Sequence, residues 1–281
     1  MQDFKQKLGG IMPQRQKGYY SIRIKMAGGD ISSDSLRAIA DATEAYRGSC
    51  AHITTRQGIE ISNVREEDVD SLADMLYKAG LQIGISGTRI RNVMACQGNK
   101  VCRHGHIDCQ HLANIIDKKF VGATVSKKFK IAISGCSSAC SKPQYNDFGI
   151  MGVVYPLCDR DMCQYCMDCV KACRVGAMIE KGDKVLFNME RCDNCGDCIL
   201  ACHLGAISAE KTGYRVYVGG NAGRFSKKGI ILTTVFDEDS VLSILEKTIE
   251  YYNYYSEDSE RLGDVLERMG MGHYTYKVLS D

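Results

Sequence analysis

Eight of the fifteen cysteines in this chain occur in two copies of one spacing, C-x2-C-x2-C-x3-C. The copies are Cys163, Cys166, Cys169 and Cys173, and then Cys192, Cys195, Cys198 and Cys202. Three thiolates at this spacing can wrap one 4Fe-4S cubane, while the fourth points away to a neighbouring cluster. We therefore expect crossed ligation, in which Cys202 completes the first set and Cys173 completes the second.

A pair of zinc sites is the alternative for these cysteines. Zinc would use four-ligand sets without an eight-cysteine repeat of this form. Gly176-Ala177 and Gly205-Ala206 follow the two motifs and resemble bacterial two-cluster ferredoxins, although Arg174 and His203 stand where those proteins usually have proline. The segment 158–209 is therefore predicted to be an inserted ferredoxin domain that transfers electrons.

Four further cysteines lie outside that segment as a C-x5-C pair and a C-x3-C pair. They are Cys96 and Cys102, and Cys136 and Cys140. Four thiolates from two loops suffice for a third cubane, and the glycines and serines of both loops let the backbone approach a cofactor closely. The alternative is a Cys2His2 zinc site. It would use Cys102, His104, His106 and Cys109.

Basic side chains at alternate positions could bind an anion. Alternation places Lys128 and Lys130 on one strand face, opposite Phe129 and six residues before a cluster cysteine. Arg23 and Lys25 have the same geometry. Guanidinium and ammonium groups hold oxyanions and can supply protons. A solvated surface is the alternative for each of them.

Several separate motifs resemble the sirohaem-containing nitrite and sulfite reductase family, and they occur in the order found in that family. They are RIKMAGG at 23–29, TTRQ at 54–57, RNV at 91–93, KKFK at 127–130, GCSSAC at 135–140 and YRVYVGGN at 214–221. The resemblance covers most of the chain. It fits the short single-repeat form with an inserted ferredoxin domain, as in anaerobic and dissimilatory-type sulfite reductase subunits.

This resemblance implies residue roles. Cys140 would bridge a cluster iron to the sirohaem iron, and the substrate oxyanion would contact Arg23 or Lys25, together with Arg91, Lys128 and Lys130. Arg56 and Arg224 would neutralise sirohaem carboxylates. The remaining cofactor-binding candidates are Thr55, Gln57, Asn92, Gly219, Gly220 and Asn221.

The resemblance also implies a reaction, namely the six-electron reduction of sulfite to sulfide with sirohaem and three 4Fe-4S clusters per chain. Nitrite reduction to ammonia is the close alternative, and a non-catalytic iron–sulfur electron carrier is the alternative of another class. No Gly-rich dinucleotide fingerprint follows a strand, so a ferredoxin or a separate reductase subunit should donate electrons. Family enzymes combine two copies of this unit, which predicts a homodimer with shared active sites.

The elements that must position these residues read as an α+β fold. A ferredoxin-like part is expected over 1–86, and a sirohaem and 4Fe-4S-binding α/β part over 87–157 and 210–281, with 158–209 inserted. Expected strands are 20–26, 52–61, 81–87, 128–134, 148–154, 214–218 and 230–235. Expected helices are 32–46, 65–79, 109–120, 239–255 and 258–269. Leu36, Ile39 and Ala40 should face the core from the first helix.

Composition adds limits on partners and location. Lysine and arginine number 36 against 34 acidic residues, which gives no general attraction to nucleic acid or membrane. No apolar run approaches a membrane span, and the first ten residues lack the apolar core of a secretory signal. A cytoplasmic location is expected, where thiols stay reduced. Cys50, Cys109 and Cys158 are predicted to be buried thiols, and His104, His106 and His111 to be surface or loop residues.

Overall fold

Three β-sheets and eight α-helices organise residues 9–182 and 184–280, which are the residues that this computed structural model describes. The strands are β1 (Ile11–Pro13), β2 (Tyr19–Ile24), β3 (Cys50–Ile53), β4 (Ile59–Arg65), β5 (Met94–Ala95), β6 (Ile131–Ser134), β7 (Phe148–Cys158), β8 (Met178–Glu180), β9 (Val185–Phe187), β10 (Ile207–Val218) and β11 (Ile230–Val235). The helices are α1 (Ser33–Ala45), α2 (Val69–Lys78), α3 (Cys109–Phe120), α4 (Asp168–Ala172), α5 (Asp197–Ala201), α6 (Glu238–Tyr255), α7 (Leu262–Met269) and α8 (Met271–Leu279).

The N-terminal layer is an antiparallel sheet of order β1-β2-β4-β3, covered by α1 and α2. Helix α1 confirms the helix predicted over 32–46, and the Ser32 hydroxyl caps it by accepting the Ser35 N–H. The predicted inner face was wrong in part. Ile39 is buried, but Leu36 and Ala40 are exposed, and Ala42, three residues after Ile39, takes the second core position.

The predicted strand 52–61 is two strands, β3 and β4, joined by a tight turn. The Thr54 N–H donates to the Gly58 carbonyl at 2.8 Å, the Gly58 N–H donates to Thr54 Oγ1 at 3.1 Å, and Gln57 has a φ of +58°. The TTRQ motif therefore lies in the turn. Because a turn projects from the end of a hairpin, Arg56 and Gln57 reach across to the second layer.

The predicted strand 81–87 is not a regular strand in the described part of the chain. Its segment runs beside β2 through one bridge between Ile24 and Ile83, and the Lys25 N–H donates to the Gln82 carbonyl at 2.8 Å. The Gly84 N–H donates to the Arg23 carbonyl at 2.7 Å. This irregular pairing still fixes the segment against the strand that carries Arg23.

The second layer is a five-stranded sheet of order β11-β10-β7-β6-β5. Strands β5, β6 and β7 are parallel, and β7, β10 and β11 are antiparallel. Helix α3 confirms the prediction over 109–120. The predicted helix 258–269 begins only at Leu262, and the sequence reading missed α8, which follows Gly270 at a φ of +85°.

The cysteine-rich segment extends from the far end of the long β7–β10 hairpin, where Cys158 pairs with Ile207. It contains the β8–β9 hairpin and two five-residue helices of matching design. Helix α4 follows Met167 and ends at Cys173, while α5 follows Gly196 and ends at Cys202, each after a residue of positive φ. The two helices therefore show the same duplication as the cysteine spacing.

Among the helices described, none is long and apolar enough to cross a lipid bilayer.

Candidate active site and cluster-binding loops

A basic cavity of about 250 Å³ lies between the N-terminal layer and the second sheet. Five cationic side chains line it, namely Arg23, Arg56, Arg91, Lys128 and Lys130. Thr54, Thr55 and Asn92 supply polar lining, and no acidic residue is among the described residues of its wall. A partly enclosed, uniformly cationic cavity concentrates positive potential and suits a small dianion.

The structure separates the two candidates on β2. Arg23 lines the cavity and is held by Glu60 of β4, with Nε and Oε2 2.8 Å apart. Lys25 instead forms an ion pair with Asp117 of α3, with Nζ and Oδ2 2.8 Å apart, outside this cavity. The placement of Lys25 with the anion-binding residues is therefore corrected, because the strand ends at Ile24 and its alternation does not continue.

Arg56 joins the two layers at the cavity wall. One Nη donates to the Asn92 carbonyl at 2.8 Å and to the Ile131 carbonyl at 3.3 Å, and the other donates to Asn146 Oδ1 at 3.1 Å. Burial lowers the pKa of Arg56 to about 10, although nearby Asp147 opposes that shift. Arg56 is thus a charged structural link as well as part of the cavity lining.

Unpartnered buried atoms face the same region. Arg56 Nε, Arg91 Nε and Asn92 Oδ1 have no hydrogen-bond partner among the described residues. The Nη groups of Arg91 donate to the Ile85 and Gly87 carbonyls, each at 3.1 Å. Buried polar groups are almost always paired, so the two unused guanidinium donors fit a bound anion or an anionic cofactor edge, whereas Asn92 Oδ1 is an unused acceptor.

Gln57, predicted to bind the cofactor, hydrogen-bonds to the backbone of β5 in the structure. Its Nε2 donates to the Ala95 carbonyl at 2.7 Å, and its Oε1 accepts the Ala95 N–H at 2.9 Å. Both polar ends of this amide are therefore used against β5. Gln57 acts here as a tie between the hairpin turn and the strand that precedes Cys96, and it does not line the basic cavity.

Lys128 and Lys130 flank the fully buried Phe129, as the alternation predicts. Phe129 packs against Tyr252 with ring centroids 5.9 Å apart. Burial, followed by the charges of Arg56, Arg261 and Lys128, lowers the pKa of Lys130 to about 8. The pKa of Lys128 is also lowered, by burial first. Burial, together with the crowding of like charges, thus prepares these ammonium groups to release protons.

The C-x5-C and C-x3-C cysteines lie together at the ends of β5 and β6. The charges of Cys96, Cys136 and Cys102 all contribute to raising the pKa of Cys140, after burial. The Gly135 N–H donates to Cys96 Sγ at 3.0 Å. Cys136 is buried and Cys140 is exposed. The two loops therefore gather four thiols, of which Cys102 and Cys140 are exposed.

Cys109 lies next to this group, with its Sγ 3.7 Å from that of Cys96. This contact is the largest cause that lowers the pKa of Cys96 to about 6 and raises that of Cys109. Cys109 is fully buried, as predicted for a structural thiol. Cys158 is half-buried, and Cys50 is exposed on β3, contrary to the prediction, because β3 is an edge strand whose residues are all exposed.

The Cys2His2 zinc alternative is not assembled in the described chain. His106 Nε2 lies 3.0 Å from the Cys195 carbonyl oxygen, and His104 faces Asp197 at 3.9 Å. Cys109 faces Cys96 instead. Among the described residues, the one group of three side chains whose ligand atoms lie within 4.8 Å of one another, as a single metal ion would require, is Cys166, Asp168 and His203 in the inserted segment.

The eight cysteines of the inserted segment line two separate small cavities. One is lined by Cys163, Cys166, Cys169 and Cys202, and the other by Cys173, Cys192, Cys195 and Cys198. This is the crossed grouping that the spacing predicts. Backbone N–H groups donate to Cys173 Sγ at 3.1 Å and to Cys192 Sγ at 3.4 Å. Hydrogen bonds to ligand sulfurs are a common feature of iron–sulfur sites, so the donor set fits two cubanes.

The second cavity abuts the loop that carries Cys102. Besides the contact of His106 with Cys195, the His106 N–H donates to the Gly135 carbonyl at 2.8 Å. The Val154 N–H donates to the Asn194 carbonyl at 3.0 Å, and Arg215 donates to Asn194 Oδ1 at 2.8 Å. The cysteine set completed by Cys173 is thus held directly against the C-x5-C and C-x3-C loops.

The glycine-rich turn after β10 lies outside the basic cavity. The Gly219 N–H donates to the Asp147 carbonyl at 2.9 Å, and an added Cβ at Gly220 would lie 2.7 Å from the Asn146 carbonyl oxygen. Asn221 Oδ1 accepts from Arg261 at 3.2 Å. Arg224 is exposed and stacks on Phe225 at 5.5 Å. Residues 146 and 147 and Arg261 join this turn to the cavity.

Sequence reasoning missed Asp147 and Arg261. Asp147 is a charged residue immediately before the buried residues of β7, a pattern that could have marked a paired buried carboxylate. Arg261 lies more than a hundred positions away and gives no local signal.

Comparisons with known proteins agree with this geometry. The model described as "Nitrite/Sulfite reductase ferredoxin-like half domain" matches residues 12–79, and "Nitrite and sulphite reductase 4Fe-4S domain" matches residues 86–281. The coenzyme F420-dependent sulfite reductase of Methanocaldococcus jannaschii is 37% identical over 273 residues, or 96% of this chain. The chain spans 44% of that relative's length.

A second relative and a solved structure extend the comparison. One subunit of the anaerobic sulfite reductase of Salmonella typhimurium is 29% identical over 92% of this chain and 80% of its own length. The crystal structure of dissimilatory sulfite reductase I superposes with a TM-score of 0.78 at 17% identity, covering 94% of this chain and 69% of that one. The likeness to this structure concerns the fold.

Proposed function

This chain belongs to the nitrite and sulphite reductase family, and we propose that it reduces sulfite to sulfide in a six-electron reaction. The family supports sirohaem and a 4Fe-4S cluster as cofactors. The observation that carries the proposal is the cavity lined by five cations and no described carboxylate. We propose sulfite rather than nitrite as the substrate because relatives that are 37% and 29% identical to this chain are named sulfite reductases.

Twelve cysteines would hold three 4Fe-4S clusters in this proposal. Cys96, Cys102, Cys136 and Cys140 would hold the catalytic cluster, and the two crossed sets of the inserted segment would hold one cluster each. When bound, these clusters and the sirohaem supply electron storage and transfer. The contact of His106 with Cys195 supports the set completed by Cys173 as the neighbour of the catalytic loops.

The protein's own groups bind the substrate and supply protons. Arg23 and Arg91 would orient the sulfite oxygens through their guanidinium groups. Lys130 has a pKa of about 8, close to neutral pH, where a general acid is most effective. Each sulfite oxygen leaves as water with two protons, and these would be delivered through Nζ of Lys130 and of Lys128 next to it.

The proposed partners are an electron donor and a second chain of the same family. We expect a ferredoxin or a separate reductase subunit to deliver electrons to the inserted segment. A homodimer would supply the second copy that family enzymes combine at a shared active site.

A sirohaem absorption spectrum of the anaerobically purified chain tests the proposal. We expect sirohaem bands that shift on addition of sulfite, together with iron–sulfur absorption. Iron–sulfur absorption without sirohaem, after reconstitution with both cofactors, would contradict the proposal and favour a non-catalytic electron carrier.

Arg23 and Lys25 provide a matched pair of substitutions on one segment. Arg23→Gln should raise the KM for sulfite about tenfold, because a charge-assisted hydrogen bond contributes roughly 1.5–3 kcal/mol. Lys25→Gln should leave that KM within about twofold and lower the Tm instead, since it breaks an ion pair with Asp117 that is only partly exposed. Steady-state kinetics and thermal unfolding measure both. An equal rise of the KM for sulfite in the two variants would contradict the assignment of Arg23, and not Lys25, to the anion-binding residues.

The pKa of Lys130 predicts the pH dependence of sulfite affinity. Because this pKa is lowered to about 8, Lys130 is charged below that pH and becomes neutral above it. The KM for sulfite should therefore be lowest below pH 8 and rise by up to about tenfold per pH unit above it. In Lys130→Gln this rise should disappear. A KM that climbs identically in the variant would assign the titration to another group.

A further inference from the structure

Asp147 is a fully buried carboxylate that lies directly behind the anion-binding lysine. Its Oδ2 accepts the Lys130 N–H at 2.8 Å. Arg261 donates to the same carboxylate twice, from Nη2 to Oδ2 at 2.6 Å and from Nε to Oδ1 at 3.2 Å. Both oxygens are therefore used, which is the condition under which a buried charge is tolerated.

The main chain of Asp147 contacts the glycine-rich turn after β10. The Asp147 carbonyl accepts the Gly219 N–H at 2.9 Å. Arg261 uses its remaining Nη1 to donate to Asn221 Oδ1 at 3.2 Å. The side chains of Asp147 and Arg261, together with the Asp147 carbonyl, thus contact both Lys130, immediately before β6, and the turn at residues 219–221.

The preceding residue extends the connection to a second cation. Asn146 Oδ1 accepts from Arg56 at 3.1 Å, and its Nδ2 donates to the Lys142 carbonyl at 3.0 Å. Its carbonyl lies so close to Gly220 that a side chain there would collide with it. Residues 146 and 147 therefore contact two cavity cations on one side and two glycines of the turn on the other.

Electrostatics gives the buried carboxylate a further effect. Five cations line the cavity, and Arg261 adds a sixth behind it. Arg56, Arg261 and Lys128 all disfavour the charged form of Lys130, and Asp147 is the opposing group. Burial raises the pKa of Asp147, while the guanidinium of Arg261 favours its charged form. A paired carboxylate at this point reduces repulsion among the cations without entering the cavity.

We propose that Asp147 and Arg261 are a positioning pair that fixes the anion-binding cations Lys130 and Arg56 relative to the turn at residues 219–221. The inference rests on the proposed function, because it concerns the geometry of the same site. Neither residue touches the substrate cavity. The pair acts through the groups it holds, which is a recognised role for a buried ion pair that contributes specificity of structure.

The double variant Asp147→Asn/Arg261→Gln tests the proposal in the fully loaded enzyme. It removes both charges and keeps amides that can still hydrogen-bond. No uncompensated buried charge is therefore left behind. Arg261→Lys is the second variant, because it keeps the charge but loses the bridge to Asn221. Arg268→Gln is the matched control, since Arg268 lies on the same helix in an ion pair with Glu260 and Glu257 at the surface.

We expect the double variant to bind sirohaem and to raise the KM for sulfite about tenfold, as expected for a misplaced charged hydrogen-bond donor. Its ferric sirohaem electron paramagnetic resonance signal should change shape, and Arg261→Lys should show a smaller change of the same kind. Arg268→Gln should alter neither quantity.

A lower Tm with unchanged KM and unchanged resonance signal, in both variants, would overturn the proposal and leave the pair a purely structural role. If the double variant does not fold, Arg261→Lys decides by the same two readouts. Failure of the proposed function is separate, because it would appear in the wild-type protein as an absence of sirohaem or of sulfite turnover.

Discussion

Replacing Cys140 with serine is expected to abolish sulfite reduction, with kcat falling by about a thousandfold or more, which corresponds to at least about 4 kcal/mol of lost barrier reduction. Cys140 is exposed at the edge of the four-thiol group, whereas Cys136 is buried within it. Cys102 is exposed as well, so it is the resemblance of GCSSAC to the family's cysteine loop that assigns the contact beyond the cluster to Cys140, and the exposure of Cys140 leaves its sulfur open to a second group. A serine oxygen is a poor substitute for a thiolate that links two iron centres.

The measurement combines turnover with electron paramagnetic resonance, of the oxidised enzyme for the sirohaem and of the reduced enzyme for the clusters. We expect the signal of the coupled sirohaem to change while the signals of the two clusters in the inserted segment persist. Cys50→Ser is the matched control, because Cys50 is an exposed cysteine on β3 that belongs to none of the three sets. Wild-type turnover and an unaltered sirohaem signal in Cys140→Ser would refute the bridging role.

The double substitution Lys128→Gln/Lys130→Gln should reduce kcat/KM for sulfite by about a hundredfold to ten-thousandfold, because it removes two charge-assisted contacts of roughly 1.5–3 kcal/mol each. Both ammonium groups line the cavity, and both have a pKa lowered by burial. The loss should appear in kcat as well as in KM, since these groups also supply protons.

Lys118→Gln/Lys119→Gln is the control for this experiment, because it removes the same amount of charge from the exposed end of α3. The control should keep wild-type kinetics. Thermal stability of the Lys128/Lys130 variant should hold or rise, since repulsion with Arg56 and Arg261 is relieved. A fall in Tm with unchanged kcat/KM would make these lysines structural and exclude them from the reaction.

Short-range patterns predicted the parts of this fold that depend on short-range physics. The cysteine spacing predicts the crossed grouping, because five-residue helices α4 and α5 turn the fourth thiol of each motif away from the other three. The α3 helix was predicted to the residue, since Asp108 caps it by accepting the His111 N–H. Alternation around Phe129 placed Lys128 and Lys130 on one face.

The remaining features depend on contacts between distant segments. Lys25 lies outside the cavity, in an ion pair with Asp117 of α3. Gln57 forms two hydrogen bonds with the backbone of Ala95. Asp147 and Arg261 are joined across 114 positions. No local period or spacing encodes such pairings, so a reading of the sequence assigns residues to motifs more reliably than it assigns each side chain to one face of a site.

The most direct test is anaerobic turnover of the fully loaded wild-type chain with reduced viologen, comparing kcat/KM for sulfite and nitrite. We predict stoichiometric sulfide, six viologen electrons consumed per sulfite, and a higher kcat/KM for sulfite. A higher value for nitrite, with ammonia as the product, would replace the substrate and keep the reaction type. Failure of either anion to oxidise the viologen, in a chain that carries sirohaem and all three clusters, would contradict the proposed function.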